Sequence, residues 1–367
     1  MALQSRFGVL MDSDRMTAQF MEMVRVDSES GDEARFMAWL LPKLEELGAR
    51  AELDAYGNLI ASLPAKNSSA EPILLSCHGD TVKPGKHIQP VLADGVIRSG
   101  GDTILGADDK AGIAEMMESL RVAPVRPPVE IAISRQEEVG LIGVKNLDFT
   151  RMTAKRGFLL DNDTLDTIIT GGPSYFAIDV TVKGKAAHAG MEPEKGINAI
   201  QAAARAVAAL KIGRLDHETT ANVGIVGGGI IRNGVPDTCT FAAECRSLAH
   251  EKGQAVADEM VGVIRREVEA FGAQVTIEVN TLCKASHIAD DAWTVRTAQQ
   301  ALSALGIQAS PALMCGFTDA SIYNNAGIEM AVVGIGARLE HSLEEHVHIE
   351  DMERAVAMMA GILKLSA

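Results

Sequence analysis

The sequence predicts an α/β protein in which a mostly parallel sheet carries helices on both faces and a smaller α+β domain is inserted into the larger one. The chain has 367 residues, which is long for a single hydrophobic core. Its first part alternates short, continuously apolar runs with helical patterns, as buried parallel strands and their crossover helices do. Near residue 173 this alternation gives way to a β-α-β-β-α-β order, which is typical of a ferredoxin-like unit.

The elements of the larger domain follow from apolar periodicity and from the residues that begin and end each segment. We predict helices over 12–26 and 31–48, short strands within 50–63, a strand over 72–77, a helix over 108–120, a strand over 129–134, a helix over 140–147 and a strand over 157–161. A helix over 291–305 and a strand over 330–336 return to the same style. Strands separated by helices favour parallel pairing with right-handed crossovers.

The inserted domain begins with an alternating strand, YFAIDVTVKG, at residues 175–184. It continues with a helix over 197–210, strands over 220–226 and 237–246, a helix over 251–272 and a strand over 274–280. The predicted organisation is therefore a larger domain built from 1–172 and 285–367, interrupted by an inserted domain at 173–284.

Composition excludes several classes of function. The net charge of −15 argues against binding to nucleic acid or to an anionic membrane surface. The chain contains no run of 18 apolar residues, and its first residues lack the pattern of a signal peptide. Its five cysteines are odd in number and lack CxxC spacing, which predicts reduced thiols in a cytoplasmic protein.

Acidic and histidine side chains follow the predicted strands of the larger domain. They are His78 and Asp80 after strand 72–77, Asp108 and Asp109 at the start of helix 108–120, Glu137 and Glu138 after strand 129–134, Asp161 at the end of strand 157–161, and His341 after strand 330–336. The carboxyl ends of parallel strands meet at one edge of a sheet, where ligands bind. Chance placement of polar loop residues explains one or two of these positions, but not the whole set.

So many carboxylates at one edge would repel each other unless positive charge lies among them. Two divalent cations fit the count, because Asp108, Glu138 and Asp161 with a bridging hydroxide supply four negative charges. His78 and His341 add one nitrogen ligand per metal. Nitrogen ligands favour zinc over magnesium or calcium, although cobalt and manganese tolerate the same set.

Neighbouring residues have roles that follow from their spacing. Asp80 is placed to accept the second ring N–H of His78 and so to fix its tautomer. Of the adjacent pair Glu137 and Glu138, one is expected to bind metal and the other to act as general base toward a water molecule. Asp109 is interpreted as a helix-capping acid.

Several motifs together resemble the co-catalytic zinc exopeptidases and amidohydrolases. They are SCHGDTV, LGADDKAGIAEMM, EE followed by glycine, KGKAAHAGMEPEKGINAI and a late histidine before a helix. That group includes peptidase T, aminoacylase, carboxypeptidase G and succinyl-diaminopimelate desuccinylase. The sequences of these motifs are most similar to those of peptidase T. The resemblance covers nearly the whole chain. It implies a zinc-exopeptidase-like sheet and an inserted lid domain that also serves dimerisation.

The resemblance also implies roles for individual residues. The metal ligands would be His78 for one zinc, His341 for the other, Asp108 as the bridging acid, and Glu138 and Asp161. Glu137 would be the general base, and Asp80 the acid that orients the site. In the lid, His188 would donate to the substrate carbonyl, while Asn222 and Arg246 would hold the substrate backbone or terminal carboxylate. Asp319, in CGFTDAS, would line the substrate site.

Three hypotheses of function remain open at this point. The first is a two-zinc aminopeptidase acting on dipeptides or tripeptides, with a homodimer formed through the lid. The chain is shorter than peptidase T and its GFLLDNDTLDTI segment is not a close copy, so tripeptide preference stays open. The second is an amidohydrolase that removes acyl or carbamoyl groups from amino acids. The third is a non-catalytic metal-binding protein of the same fold, against which the retention of Glu137 argues.

Overall fold

The protein is described by a computed structural model that covers residues 11–367, and the chain folds into two compact units. Among the described residues, the first unit contains 11–171 together with His287–Met314 and Thr318–Ala367. The second unit contains Gly172–Ser286 and the short segment Cys315–Phe317. The predicted fold class, an α/β domain with an inserted α+β domain, is confirmed. The predicted boundaries after 172 and 284 stay a prediction, and they lie close to the limits of these units.

The helices and strands of the described residues have the following bounds. The helices are α1 Ser13–Val24, α2 Ala34–Glu45, α3 Ala107–Val122, α4 Ile142–Lys145, α5 Ala199–Ala209, α6 His250–Ala270, α7 Trp293–Ala304, α8 Ala320–Asn325 and α9 Ile349–Leu365. The strands are β1 Arg50–Leu53, β2 Leu59–Leu63, β3 Ile73–His78, β4 Pro90–Ala93, β5 Val96–Ser99, β6 Val129–Ser134, β7 Arg156–Asn162, β8 Thr167–Gly172, β9 Ser174–Lys183, β10 Ala187–His188, β11 Gly213–Arg214, β12 Thr219–Gly228, β13 Gly234–Val235, β14 Thr238–Ser247, β15 Gln274–Cys283, β16 Ser286–His287, β17 Ser310–Leu313, β18 Glu329–Gly334, β19 Ala337–Arg338 and β20 His346–His348.

The main sheet of the first unit is parallel at its centre. Its strands follow the order β1-β2-β6-β3-β7-β18-β8, with β17 paired to β8. Strand β3 runs parallel to β6 and β7, and β18 runs parallel to β7. Every residue of β3 is buried, as its continuous apolar run predicts for a central strand. The central strands therefore present their carboxyl ends at one edge.

Helix α3 packs on this sheet and includes the predicted acidic pair in its first turn. It contacts β3 and β7, and α1 and α9 pack against it in turn. Asp108 and Asp109 have non-helical backbone angles, so the regular part of the helix starts after them. This arrangement holds both acids at the edge of the sheet instead of within a helical turn.

One sequence expectation for the first unit needs correction, and parts of its fold were not predicted. The helix predicted over 140–147 is only one turn, Ile142–Lys145, because Leu141 has a positive φ of 59° and cannot continue a regular helix from Gly140. A small second sheet, in the order β19-β20-β5-β4, was not predicted. Its strands are two to four residues long, too short to give an alternation that can be recognised in sequence. The loop between β19 and β20 carries His341.

The second unit contains a five-stranded antiparallel sheet in the order β11-β12-β14-β9-β15. Helices α5 and α6 pack against each other and against this sheet, and the unit has a hydrophobic core of its own. The chain order β9-α5-β12-β14-α6-β15 is the predicted split unit. Along β14, buried and partly exposed residues alternate, so one face of the sheet meets the helices and the other does not.

Helices long and apolar enough to span a bilayer were sought over residues 11–367, and none is present there.

Candidate metal centre

His78 ends the central strand β3 and is almost completely buried. Its Nδ1 lies 3.0 Å from the backbone carbonyl oxygen of Asp80. Because a carbonyl oxygen can only accept, this contact places the ring proton on Nδ1 and leaves Nε2 as a free ligand atom. Nε2 faces two carboxylates, at 3.1 Å from Asp108 Oδ1 and 3.5 Å from Asp161 Oδ1.

His341 approaches the same carboxylate from the other side. Its Nε2 lies 3.2 Å from Asp108 Oδ2 and 2.8 Å from Glu138 Oε1. Asp108 therefore directs one oxygen toward His78 and the other toward His341. The five side chains divide into two groups, each with one imidazole and one terminal acid, and Asp108 joins the groups.

The carboxylate of Asp80 differs from its predicted role in one respect. It lies 3.5 Å from Nδ1 of His78, farther than the backbone oxygen of the same residue. Its two oxygens instead accept the backbone N–H groups of Glu137, at 2.9 Å, and Glu138, at 3.2 Å. The hydroxyl of Ser30 donates to it as well, at 2.7 Å. Asp80 thus holds the acidic turn after β6 in place, and it orients His78 mainly through its main chain.

Glu137 is buried beside the cluster and its backbone follows a strained residue. Gln136, which precedes it, has a positive φ of 52°, a conformation that non-glycine residues rarely adopt outside functional turns. Burial raises the pKa of the Glu137 carboxyl well above its ordinary value, and the nearby acids Asp161, Asp319 and Glu138 raise it further. A raised pKa is what a carboxylate needs to take up a proton near neutral pH.

The acidic groups of the cluster favour positive charge among them, as the pKa values of the neighbouring histidines indicate. Hydrogen bonds to Asp108 and Glu138 raise the pKa of His341 to about 10. Burial lowers the pKa of His78, but hydrogen bonds to Asp108, Asp161 and Asp80 outweigh it and raise the net value. Burial raises the pKa of Asp161 to about 7. With protein atoms alone, the acids attract protons onto the two rings.

The donor set fits divalent metal ions. Ligand atoms of His78, Asp108 and Glu138 lie within 4.8 Å of one another, and so do those of His78, Asp109 and Asp161. Imidazole nitrogens mixed with carboxylate oxygens suit zinc, cobalt or manganese. A shared carboxylate between two such groups is the arrangement found where two metals are bridged. The residues present therefore fit a pair of cations.

Asp109 does not cap the helix. Its Oδ2 accepts the backbone N–H of His78 at 3.0 Å, and its Oδ1 has no hydrogen-bond partner. The residue is fully buried, and burial together with the charge of Asp161 raises its pKa. Its role is to hold the main chain at the end of β3, and this contact could not be predicted from sequence because the donor belongs to the main chain.

Glu345 was not predicted at all. Its carboxylate accepts four consecutive backbone N–H groups, those of Leu105, Gly106, Ala107 and Asp108, at 2.7–3.1 Å. The side chain is buried, which raises its pKa to about 7 against the opposing effect of these donors. Glutamates in a late polar loop are common, so only its position four residues after His341 could have drawn attention to it.

Three predicted lid residues lie in the second unit. Asn222 on β12 is directly opposite Glu244 on β14, so both side chains lie on the same face of the sheet. Arg246 shares that face and bonds to Glu244 at 2.9 Å. Its guanidinium also lies 4.3 Å from the ring centre of Tyr175. His188 is exposed on the short strand β10.

Asp319 occupies a different position from the one expected of a substrate ligand. It is completely buried at the start of α8 and accepts a hydrogen bond from the hydroxyl of Ser134, the last residue of β6. Burial raises its pKa to about 7. Because no part of this residue is exposed, direct binding of substrate does not fit the structure. The contact places Asp319 next to Ser134, three residues before Glu137.

Comparison with known proteins establishes the family. Residues 174–271, within the second unit, match the family model M20_dimer, a peptidase dimerisation domain. An aminopeptidase PepT from Bacillus cereus is 36% identical and superposes with a TM-score of 0.86, over 97% of this chain and 99% of that one. The chain belongs to the M20 peptidase family, in its peptidase T-like branch.

Two further relatives match this M20 peptidase over almost their full length. A tripeptidase from Staphylococcus aureus is 31% identical with a TM-score of 0.91, over 97% of this chain and 99% of that one. The Bacillus subtilis protein YqjE, described as uncharacterized, is 33% identical over 371 residues, which is 98% of this chain and 100% of that protein. Membership confirms the predicted resemblance and makes the chain a hydrolase of the peptidase type.

Proposed function

We propose that this M20 peptidase is a two-metal aminopeptidase that hydrolyses small peptides, with zinc as its native metal. The observation that carries the proposal is the division of oxygens at Asp108, which places one oxygen against His78 and the other against His341. Two cations would be held by the two imidazoles together with Asp108, Asp161 and Glu138. The names of the relatives in Bacillus cereus and Staphylococcus aureus support a peptide substrate.

The metals would supply polarisation of the scissile carbonyl and would make a water molecule more acidic. Glu137 is then the proton carrier. Its buried carboxyl, with a raised pKa, takes a proton from the attacking water and delivers it to the leaving nitrogen as the carbon–nitrogen bond breaks. Water thus adds a hydroxyl to the carbonyl carbon and a proton to the amine, which balances the reaction.

Other residues of the chain keep this carrier in place. Asp80 fixes the main chain of Glu137 and Glu138 through two N–H bonds, so the base and its neighbouring ligand keep separate directions. We assign Asp319 to the same support, since it holds Ser134 three residues before Glu137. Neither side chain has to contact substrate for this role.

The proposed substrate contacts in the second unit are His188, Asn222 and Arg246. Glu244 meets Nε and Nη2 of Arg246, the side of the guanidinium, through a single oxygen. Nη1 approaches the backbone oxygen of Cys315 at 3.4 Å. The terminal nitrogens Nη1 and Nη2 still have N–H groups that can donate to a substrate carboxylate. A guanidinium group binds a carboxylate well through two parallel hydrogen bonds.

A substrate panel combined with metal analysis tests the proposal. Purified enzyme is expected to contain two metal ions per chain by elemental analysis and to release amino acids from tripeptides or dipeptides. Faster turnover of N-acyl or N-carbamoyl amino acids would instead make it a deacylase. Two bound metals without turnover of any amide in the panel would assign it to a non-catalytic binding role.

We also propose a homodimer formed through the second unit. The last residues of β12 pair with β14 on one side, while β11 covers only Thr220 and Ala221 on the other. Four apolar side chains at and beyond this edge are more than 60% exposed, namely Ile225, Val226, Ile230 and Ile231. Open apolar strand edges are surfaces on which a second chain can pair. Light scattering should show a dimer that Ile225→Lys dissociates, while Ile212→Lys, at another exposed position, leaves it intact.

A cytoplasmic location is part of the proposal. All five cysteines are free thiols in the structure, and four of them are buried. Free thiols persist where the surroundings are reducing. Fractionation of the native host, with the enzyme followed by immunoblot, is expected to find it with the cytoplasmic proteins.

A further inference from the structure

We propose that Glu345 is a positioning residue that sets the geometry of Asp108 and His341 before metal binds. The inference rests on the proposed two-metal function, which it deepens by naming a residue outside the ligand set. Glu345 lies on the β19–β20 loop that carries His341, and its carboxylate contacts the loop that carries Asp108. One side chain therefore joins the two segments, which are more than 200 residues apart in sequence.

Both oxygens of the Glu345 carboxylate accept two backbone N–H groups each. Oε2 accepts the N–H groups of Leu105 and Gly106 at 2.8 and 2.7 Å, and Oε1 accepts those of Ala107 and Asp108 at 2.8 and 3.1 Å. Gly106 has a positive φ of 71°, which turns successive N–H groups toward one point. Such a turn of backbone amides forms a concave site for an anion. Here the anion is a carboxylate of the chain itself.

The contact between Glu345 and the loop that carries Asp108 is buried. Glu345 is 1% exposed, so water cannot replace these bonds if the carboxylate is removed. Leu105 and Ala107 are also fully buried, and their N–H groups would lose their partner. Unpartnered buried donors are costly, and the loop would move to satisfy them. Asp108 is the last of the four residues and would move with the loop.

The backbone of His341 adopts a conformation that its surroundings must enforce. This residue has a positive φ of 59°, and Leu339 in the same loop has a φ of 55°. Non-glycine residues hold such angles only where surrounding contacts enforce them. Glu345, four residues later and directly before β20, is held in place by its four hydrogen bonds. Loss of these hydrogen bonds would allow both His341 and Asp108 to move.

The chain offers a matched control at the preceding position. Glu344 is exposed on the same loop, whereas Glu345 is buried. Replacement of either residue by glutamine removes the same charge and keeps nearly the same shape. At 345, glutamine also turns one oxygen into an N–H donor that faces other donors. The comparison of Glu345→Gln with Glu344→Gln therefore separates the buried contact from the loss of one acidic charge.

The experiment measures zinc binding to chelator-treated full-length enzyme by isothermal titration calorimetry. We expect Glu345→Gln to weaken the affinity by about 10–100-fold, the usual effect of losing a group that orients metal ligands. Excess zinc should restore kcat in this variant with little change in KM. Glu344→Gln should bind zinc as the wild type does.

The melting temperature in the presence and absence of zinc distinguishes positioning from a general structural role. Positioning predicts that zinc raises the melting temperature less in Glu345→Gln than in the wild type. Equal zinc affinity in Glu345→Gln and Glu344→Gln, or the same loss of melting temperature with and without zinc, would overturn the inference. If the wild type itself bound no zinc, cobalt or manganese, the proposed function would fail instead.

Hydrogen exchange on the wild type keeps the inference testable should Glu345→Gln not fold. In zinc-free enzyme, the amides of 105–108 should exchange as slowly as those of neighbouring buried strands, because Glu345 already holds them. Fast exchange of these four amides without zinc, followed by protection on zinc addition, would show that the metal and not Glu345 orders the loop.

Discussion

The loops at the strand ends of the first unit and the proposed substrate contacts of the second unit differ in how far their polar groups are already organised. In the first unit, the proposed ligands contact each other at 2.8–3.5 Å and their main chain is held by further buried acids. In the second unit, His188 is exposed, and Arg246 contacts Glu244 and an aromatic ring. A charged cluster in a buried place needs preorganisation, because misplaced charge there is costly. An exposed substrate contact has no such requirement.

The largest effect is expected from Glu137→Gln. Turnover should fall by about 10²–10⁴-fold or more, because the proton carrier is lost while every proposed ligand remains. Elemental analysis should still find two metals. The exposed variant Glu344→Gln serves as control and should keep full activity. Loss of metal in Glu137→Gln would mean that the roles of Glu137 and Glu138 are exchanged.

The next effect concerns the metal count. His341→Ala should lower it from two to about one per chain and reduce kcat strongly, since one of the two groups loses its only imidazole. His217→Ala, in an exposed turn of the second unit, should leave both metals in place. If the two variants retained the same amount of metal, His341 would not be a metal ligand. The proposed division of ligands at Asp108 would then be wrong.

A smaller effect is expected in the second unit. Arg246→Ala should raise KM by about 10–100-fold with a lesser change in kcat, because hydrogen bonds to charged groups contribute ~1.5–3 kcal/mol. Its metal content should stay at two. Arg214→Ala, an exposed arginine on β11, is the control. A change in metal content or an unchanged KM would contradict the assignment of Arg246 to substrate binding.

The smallest effect is expected in the melting temperature when a chelator removes the metal. Removal of metal should lower the melting temperature by several degrees, because the acids of the cluster then lose the cations that balance them. Hydrogen exchange in the β9–β14 pairing of the second unit should be the same with and without metal. A melting temperature that chelator leaves unchanged would count against a tightly held cluster.

Much of this fold was predictable because its signals are local. The apolar run before His78 marks a buried central strand, and the alternation of 175–184 marks a strand with one covered face. Helix α4 was predicted too long, since a single positive φ at Leu141 has no signature in apolar periodicity. The second sheet of the first unit escaped prediction because its strands are too short to show a period.

The sequence by itself determined which residues follow the strands, and the parallel pairing of β3 with β6 and β7 is enough to bring His78, Glu138 and Asp161 to one edge. Only the tertiary structure decided what holds them there. The contacts of Asp109 and Glu345 are made to backbone N–H groups, which every residue but proline carries, so no residue type marks them in sequence. The place of Asp319 was also decided by folding, since its hydrogen bond with the hydroxyl of Ser134 joins two segments that are 185 residues apart in sequence. Local pattern specifies the elements, whereas the partners of a buried charge are set by chain segments that meet only after folding.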